Sequence, residues 1–211
     1  MLESKFREKT SHIIFPLAHK IASWGITANF VTISGFLINV SAGICFGFGH
    51  TVWAGILMFL GSSFDMMDGA VARVRIIKNS SGALLDSVMD RYSETAVLLG
   101  AIIFFYMANN IYGVALTLCA LEGSILVSYV RARAEGLGIE CKVGLMQRPE
   151  RVTFLVIGLI AHGVVFKWVN PTEANIIITS VIGILAVMAN VTALHRLIYS
   201  FKQLKKEKEL Q

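Results

Sequence analysis

Four aspartates stand at fixed steps in the stretch SSFDMMDGAVARVRIIKNSSGALLDSVMDR, residues 62–91. Asp65 and Asp68 are three residues apart and Asp86 and Asp90 four, so on helices each pair shares one face. The chain around them is apolar enough for a membrane, where an ionisable side chain costs roughly a few kcal/mol or more and marks function by default. Four carboxylates in one half-buried site cannot all ionise without compensation; they share protons or bind cations. Oxygen donors with no His or Cys beside them favour Mg²⁺ or Mn²⁺. Two such ions about 4 Å apart, bridged by shared carboxylates, form a device for displacement at phosphorus.

The neighbours suit that chemistry. Gly69, Ala70, Ala72, Gly82 and Ala83 keep the bulk low, so helices or a ligand can approach the backbone closely. Arg73 and Arg75 stand one turn beyond Asp68, within reach of phosphate oxygens. A lone intramembrane aspartate is as often a packing group as a site, but four at these steps are hard to place as packing. An ion path is the weaker reading, because the carboxylates gather at one end of their helices.

The elements that must position them are membrane helices. The 211 residues are 55% hydrophobic and 16% charged, with a mean hydropathy of +0.66. Six apolar stretches, at about 28–49, 51–72, 82–107, 110–132, 150–168 and 174–197, approach the roughly 20 residues a span requires. Backbone hydrogen bonding in lipid makes them helices. The predicted fold class is an all-α integral membrane protein of six transmembrane helices, a single domain over 1–211 with its membrane core at 26–198.

Charge sets the orientation. Of 19 Lys and Arg, only Lys167 falls on the face opposite the other eighteen. Both termini, the loops with RVRIIKNSSG and RARAEGLGIECKVGLMQRPER, and the aspartates are therefore expected on the cytoplasmic side of a multi-pass protein of the cell membrane. The net charge of +5 then reports topology and anionic headgroups; no nucleic-acid partner is expected. Ile14, Leu17, Ala18, Ile21 and Trp24 recur at helical steps, which predicts an amphipathic interfacial helix within 1–25. Residues 199–211 read as a solvated helix end. Cys45, Cys119 and Cys141 stand far apart and form neither a zinc motif nor a disulfide framework.

Asp65-x-x-Asp68-Gly69-x-x-Ala72-Arg73, then eight residues, then Gly82-x-x-x-Asp86-x-x-x-Asp90, resembles the signature of the CDP-alcohol phosphotransferases at all eight fixed positions. The resemblance implies a homodimeric membrane enzyme in which a hydroxyl of one alcohol displaces CMP from a CDP-alcohol. By position, it implies that Asp65, Asp68 and Asp86 hold two Mg²⁺ ions, Mn²⁺ being the alternative. Asp90 would contribute to the second ion and act as the general base. Gly69, Ala72, Arg73 and Gly82 would cradle the cytidine diphosphate. Metals against the diphosphate would stabilise the leaving group, and a poor hydroxyl nucleophile needs a nearby proton acceptor.

Arginines narrow the acceptor. Ser128 and Arg131 lie at i, i+3 at the end of the fourth span, Arg148 and Arg151 repeat that step at the start of the fifth, and Arg196 closes the sixth. The patterns suit a doubly charged phosphomonoester, although positive-inside flanking alone accounts for about half of such arginines. The stretch SYVRARAE…RPER resembles the phosphatidylinositol-phosphate synthase branch of the family and its archaeal ether-lipid relatives. There, the residues at Ser128, Arg131, Arg151 and Arg196 hold the phosphate of inositol 1-phosphate. Asn29 and Thr32 match the branch at the nucleotide end of the first span, with Ala28 where proline is usual, and Asn79 is a further candidate donor to a phosphate. The expected donor is CDP-diacylglycerol or its ether analogue, drawn from the surrounding membrane lipids. Glycerol 3-phosphate is the rival acceptor, and a cation or proton transporter is the rival of another class.

Overall fold

The computed structural model describes residues 27–74 and 80–209, together with Lys20, Ser23 and Gly25; the side chains of 66, 68–74, 207 and 208 fall outside that description. The expected interfacial helix lies almost wholly outside the described residues. Among those described there are six helices: α1 (Ala28–Gly47), α2 (Thr51–Val74), α3 (Ser80–Met107), α4 (Ile111–Glu135), α5 (Arg148–Val165) and α6 (Pro171–Glu209). They agree with the expected stretches within about three residues, and α6 runs on past its apolar span to Glu209, through most of the stretch 199–211 read as a solvated helix end. By length and composition α1, α4 and α6 suffice to cross a membrane, while α2 holds a shorter apolar run, Thr51–Asp65. The shortfall in α2, α3 and α5 has a cause: these three carry the charged residues of the site in their own turns.

Helix ends follow local chemistry. Thr27 caps α1 by accepting from the Phe30 amide, and Asn110 caps α4 by accepting from the Gly113 amide. Gly49 (φ +81°), Asn109 (φ +53°) and Gly138 (φ +86°) take left-handed conformations just past α1, α3 and α4. Behind each, an amide bonds a carbonyl five residues back: His50 to Cys45 (2.8 Å), Asn110 to Phe105 (2.9 Å) and Ile139 to Ala134 (2.9 Å). The turns at 48–50, 108–110 and 166–170 reverse the chain, so the C-terminal ends of α2 and α4 share one end of the bundle with the N-terminal ends of α3 and α5.

Packing places α1 at the centre of the aspartate side. It packs closely on both α2 and α3; α4 packs on α6, and α2 on α5. Glycines permit the α1–α3 crossing. A Cβ on Gly100 would lie 2.1 Å from the Gly43 carbonyl oxygen, and one on Gly43 only 2.3 Å from that of Ala96. Gly100→Ala is therefore expected to destabilise the fold by about 1–3 kcal/mol despite the better helix propensity of alanine. At Gly183 the nearest atom stands 3.6 Å from a built Cβ, so Gly183→Ala is the control and should change little. Thermal midpoints of the detergent-solubilised proteins check both. At the end away from the aspartates, buried His162 ties α2, α5 and α6 together. Its Nδ1 pairs with Thr51 Oγ1 at 2.9 Å, and its Nε2 with Asn175 Oδ1 at 3.2 Å.

Candidate active site

Three helices meet at one guanidinium. Arg148, in the first turn of α5, donates from Nη2 to Asp65 Oδ2 of α2 at 2.6 Å. Its Nη1 stands 2.8 Å from Asp90 Oδ1 of α3, close enough to form an ion pair. The three side chains are 7% (Asp65), 20% (Asp90) and 26% (Arg148) exposed, so the pairing is only partly screened by solvent. Room for Asp65 comes from α1, where a Cβ on Gly35 would lie 2.7 Å from Asp65 Oδ1. Asp86, one turn before Asp90, is half-buried on α3. Asp68 is one turn after Asp65 in α2, and its side chain falls outside the described set.

This donor set fits a hard divalent cation. Asp65 and Asp90 already converge on one positive centre, and the candidates offer oxygen only. Among the described residues, no three His, Cys, Asp or Glu side chains converge closely enough to hold a metal by themselves.

The second group lies on α4, α5 and α6. Arg151 is 3% exposed. It holds both oxygens of Glu94 in a fork, Nε to Oε1 at 2.6 Å and Nη2 to Oε2 at 2.7 Å, and donates from Nη1 to the Met146 carbonyl at 3.0 Å. Arg196, 2% exposed, donates to the carbonyls of Val143 and Val127, both at 2.8 Å. It thereby fastens the segment 139–147 and the end of α4 to α6. Two further bonds hold that segment: the Met146 amide donates to Thr192 Oγ1 at 3.2 Å, and Ser200 Oγ to Cys141 Sγ at 3.7 Å. Arg131 is more open and pairs with Glu135 at 2.9 Å, one turn on. Two of the three arginines, Arg131 and Arg151, are thus paired with glutamates, Glu135 and Glu94, while Arg196 is held by backbone carbonyls. Ser128 is half-buried one turn before Arg131.

The remaining candidates are described only in part. Thr32 is buried on α1 and donates to the Ala28 carbonyl at 3.0 Å, while Asn29 is exposed in the first turn. Gly82 is half-buried in the first turn of α3. Gly69, Ala72 and Arg73 continue α2, with side chains outside the described set, and Asn79 lies outside the described residues altogether.

Spacing alone grouped Arg148 with the acceptor arginines, and the structure corrects this by turning it onto the aspartates. Spacing also left Glu94 unread. The available signal was that Glu94 sits at i+4 from Asp90, extending the Asp86–Asp90 face by one more turn. Gly35 was missed as well, since nothing local marks a glycine as making room for a distant carboxylate.

Comparison with known proteins follows the same lines. Residues 25–192 match the family model described as CDP-alcohol phosphatidyltransferase. The archaetidylinositol phosphate synthase of Methanothermobacter thermautotrophicus is 34% identical over 202 residues, covering 96% of this chain and 95% of that protein. Among solved structures, phosphatidylinositol phosphate synthase of Mycobacterium tuberculosis with CDP-DAG bound superposes with a TM-score of 0.79 at 31% identity, over 90% of this chain and 94% of that one. The same enzyme in complex with manganese and citrate gives 0.79 at 30% identity, over 89% and 88%.

Proposed function

The chain belongs to the CDP-alcohol phosphatidyltransferase family, and we propose that it transfers the phosphatidyl group of a CDP-diradylglycerol to inositol 1-phosphate, releasing CMP. The observation that supports the acceptor assignment is that Arg151 and Arg196 are both buried on neighbouring helices α5 and α6, Arg151 bonding the Met146 carbonyl and Arg196 the Val143 carbonyl of the one segment between α4 and α5. A dianionic phosphomonoester is the ligand such guanidiniums favour. The names of the similar proteins, archaetidylinositol phosphate synthase and phosphatidylinositol phosphate synthase, support the same branch.

In this reading six helices span the membrane, the site faces the cytoplasm, and the protein is a homodimer. Asp65, Asp68, Asp86 and Asp90 hold two divalent cations, Mg²⁺ or Mn²⁺, whose charge when bound steadies the diphosphate and the departing CMP. Gly69, Ala72, Arg73 and Gly82 receive the nucleotide, with Asn29, Thr32 and Asn79 at its margin. Ser128, Arg131, Arg151 and Arg196 fix the acceptor's phosphate and so aim its hydroxyl. Asp90 takes the hydroxyl proton as the oxygen bonds to the lipid-bearing phosphorus. The bond from that phosphorus to the bridging oxygen breaks, and CMP leaves with the electron pair. The lipid chains remain in the bilayer throughout.

The test is CMP release by the purified protein with CDP-diacylglycerol and Mg²⁺, offered inositol 1-phosphate, glycerol 3-phosphate, serine or free inositol. Release with inositol 1-phosphate alone is expected. Release with glycerol 3-phosphate instead would keep the reaction and overturn the acceptor. Ion flux in liposomes with no CMP release from any acceptor would replace the enzyme reading by transport. Parallel runs with an ether-linked donor and with Mn²⁺ resolve the lipid and the metal preference.

A further inference from the structure

Glu94 belongs to neither the family signature nor the acceptor arginines, yet it makes a nearly closed ion pair between α3 and α5. It reaches from α3 to α5 and engages Arg151 with both carboxylate oxygens, at 2.6 and 2.7 Å. Arg151 is 3% exposed and the Glu94 side chain 11%. The pair lines a small, mostly apolar cavity with Met58, Leu98, Ser124, Leu155 and Leu185. Such surroundings strengthen a fork held by charge.

A guanidinium has five N–H donors. Two are fixed by Glu94 and one by the Met146 carbonyl, which leaves the remainder for any other ligand. The Met146 bond also ties Arg151 to the segment that Arg196 fastens through Val143. Because the guanidinium is planar, fixing one edge fixes the direction of the others. We propose that Glu94 is a positioning residue for the acceptor: by gripping one edge of Arg151, it aims the remaining N–H groups at the phosphate. The inference rests on the acceptor reading above, in which Arg151 binds a phosphomonoester.

Charge and aim make opposite predictions, which separates them. Glu94 offsets the positive charge of Arg151, so a purely electrostatic role would make the acceptor bind more tightly once the carboxylate is gone. A positioning role makes it bind more weakly. Glu94→Asp keeps the charge but draws the carboxylate back by one methylene, and so tests aim without stranding Arg151 as an unpaired buried cation. Steady-state KM and kcat are to be measured for CDP-diacylglycerol and for each phosphomonoester, inositol 1-phosphate and glycerol 3-phosphate. The wild type is compared with Glu94→Asp, Glu94→Gln, Arg151→Lys and the double variant Glu94→Asp/Arg151→Lys.

The expected result is a rise in acceptor KM of about 10- to 100-fold in Glu94→Asp, the scale of a misplacement near 1 Å. The KM for CDP-diacylglycerol should stay within about threefold, and Glu94→Gln should also raise the acceptor KM. In the Arg151→Lys background, Glu94→Asp should add little, because its effect passes through Arg151. An unchanged acceptor KM in Glu94→Asp, a lower one in Glu94→Gln, or full additivity in the double variant would overturn the proposal. Equal losses for both substrates, or a Glu94→Asp protein that no longer purifies as the wild type does, would assign Glu94 to the fold alone and overturn it too. A wild type that turns over neither phosphomonoester sinks the acceptor reading itself, visibly before any variant is compared, and this inference with it.

Discussion

Asp90→Asn is expected to lower kcat for CMP release by about 10²–10⁴-fold, the range commonly lost with a general base. Asp90 has two assigned tasks, taking the acceptor's proton and holding a cation, and asparagine separates them only in part. It keeps an oxygen of the same size but has neither the basicity nor the charge. Asp65→Asn removes a charged ligand and leaves the base in place. Raising Mn²⁺ should therefore recover much of the activity of Asp65→Asn and little of that of Asp90→Asn. The comparison is fair structurally, because Arg148 keeps one carboxylate partner in either variant, Asp65 at 2.6 Å or Asp90 at 2.8 Å. Restoration of Asp90→Asn to near the wild-type rate by metal alone would make Asp90 a ligand only, and the proton acceptor would have to be another group.

Much of the fold was legible because membrane helices declare themselves locally. Long apolar runs must satisfy their backbone within the helix, and the turn residues Gly49, Asn109 and Gly138 mark where helices stop. The apolar span of α6 ends at 197 because polarity begins there, and the helix continues to Glu209, in keeping with the solvated helix end read over 199–211. Polarity ends a span, not a helix. The aspartates were equally readable, being costly, close together and regularly spaced. What spacing could not supply was pairing between helices. Arg148 and Arg151 lie three residues apart on one turn, yet one meets Asp65 and Asp90 while the other is closed on Glu94. That division depends on α1 packing on both α2 and α3 and on the way α5 leans against α2, which are properties of packing. Gly35 and Gly100 show the same limit: each matters for what approaches it from another helix.

Arg148→Gln is expected to destabilise the protein most when divalent cations are chelated, and to be largely restored by them. The guanidinium of Arg148 bridges α2 and α3 through Asp65 and Asp90 and is one polar link between them. Removing it leaves two carboxylates facing each other in a partly desolvated site. Exposed ion pairs contribute about 0–1 kcal/mol, whereas stranding one partner of a buried pair costs about 3–5 kcal/mol. With Arg148 26% exposed, the expected loss lies between these, at about 2 kcal/mol. Arg148→Lys should fall between wild type and Gln, since an ammonium retains the charge but lacks the two-armed reach. The Arg148 Nε is buried and has no acceptor among the described residues, so its fork is less completely held than that of Arg151. A cation bound by the same aspartates in the folded protein alone stabilises it by mass action. Saturating Mn²⁺ should therefore raise the thermal midpoint of Arg148→Gln in detergent by more than it raises that of wild type, closing most of the gap seen in chelator. Equal shifts in the two proteins would mean that the cation and Arg148 do not share these carboxylates, and the assignment of Asp65 and Asp90 as metal ligands would fail.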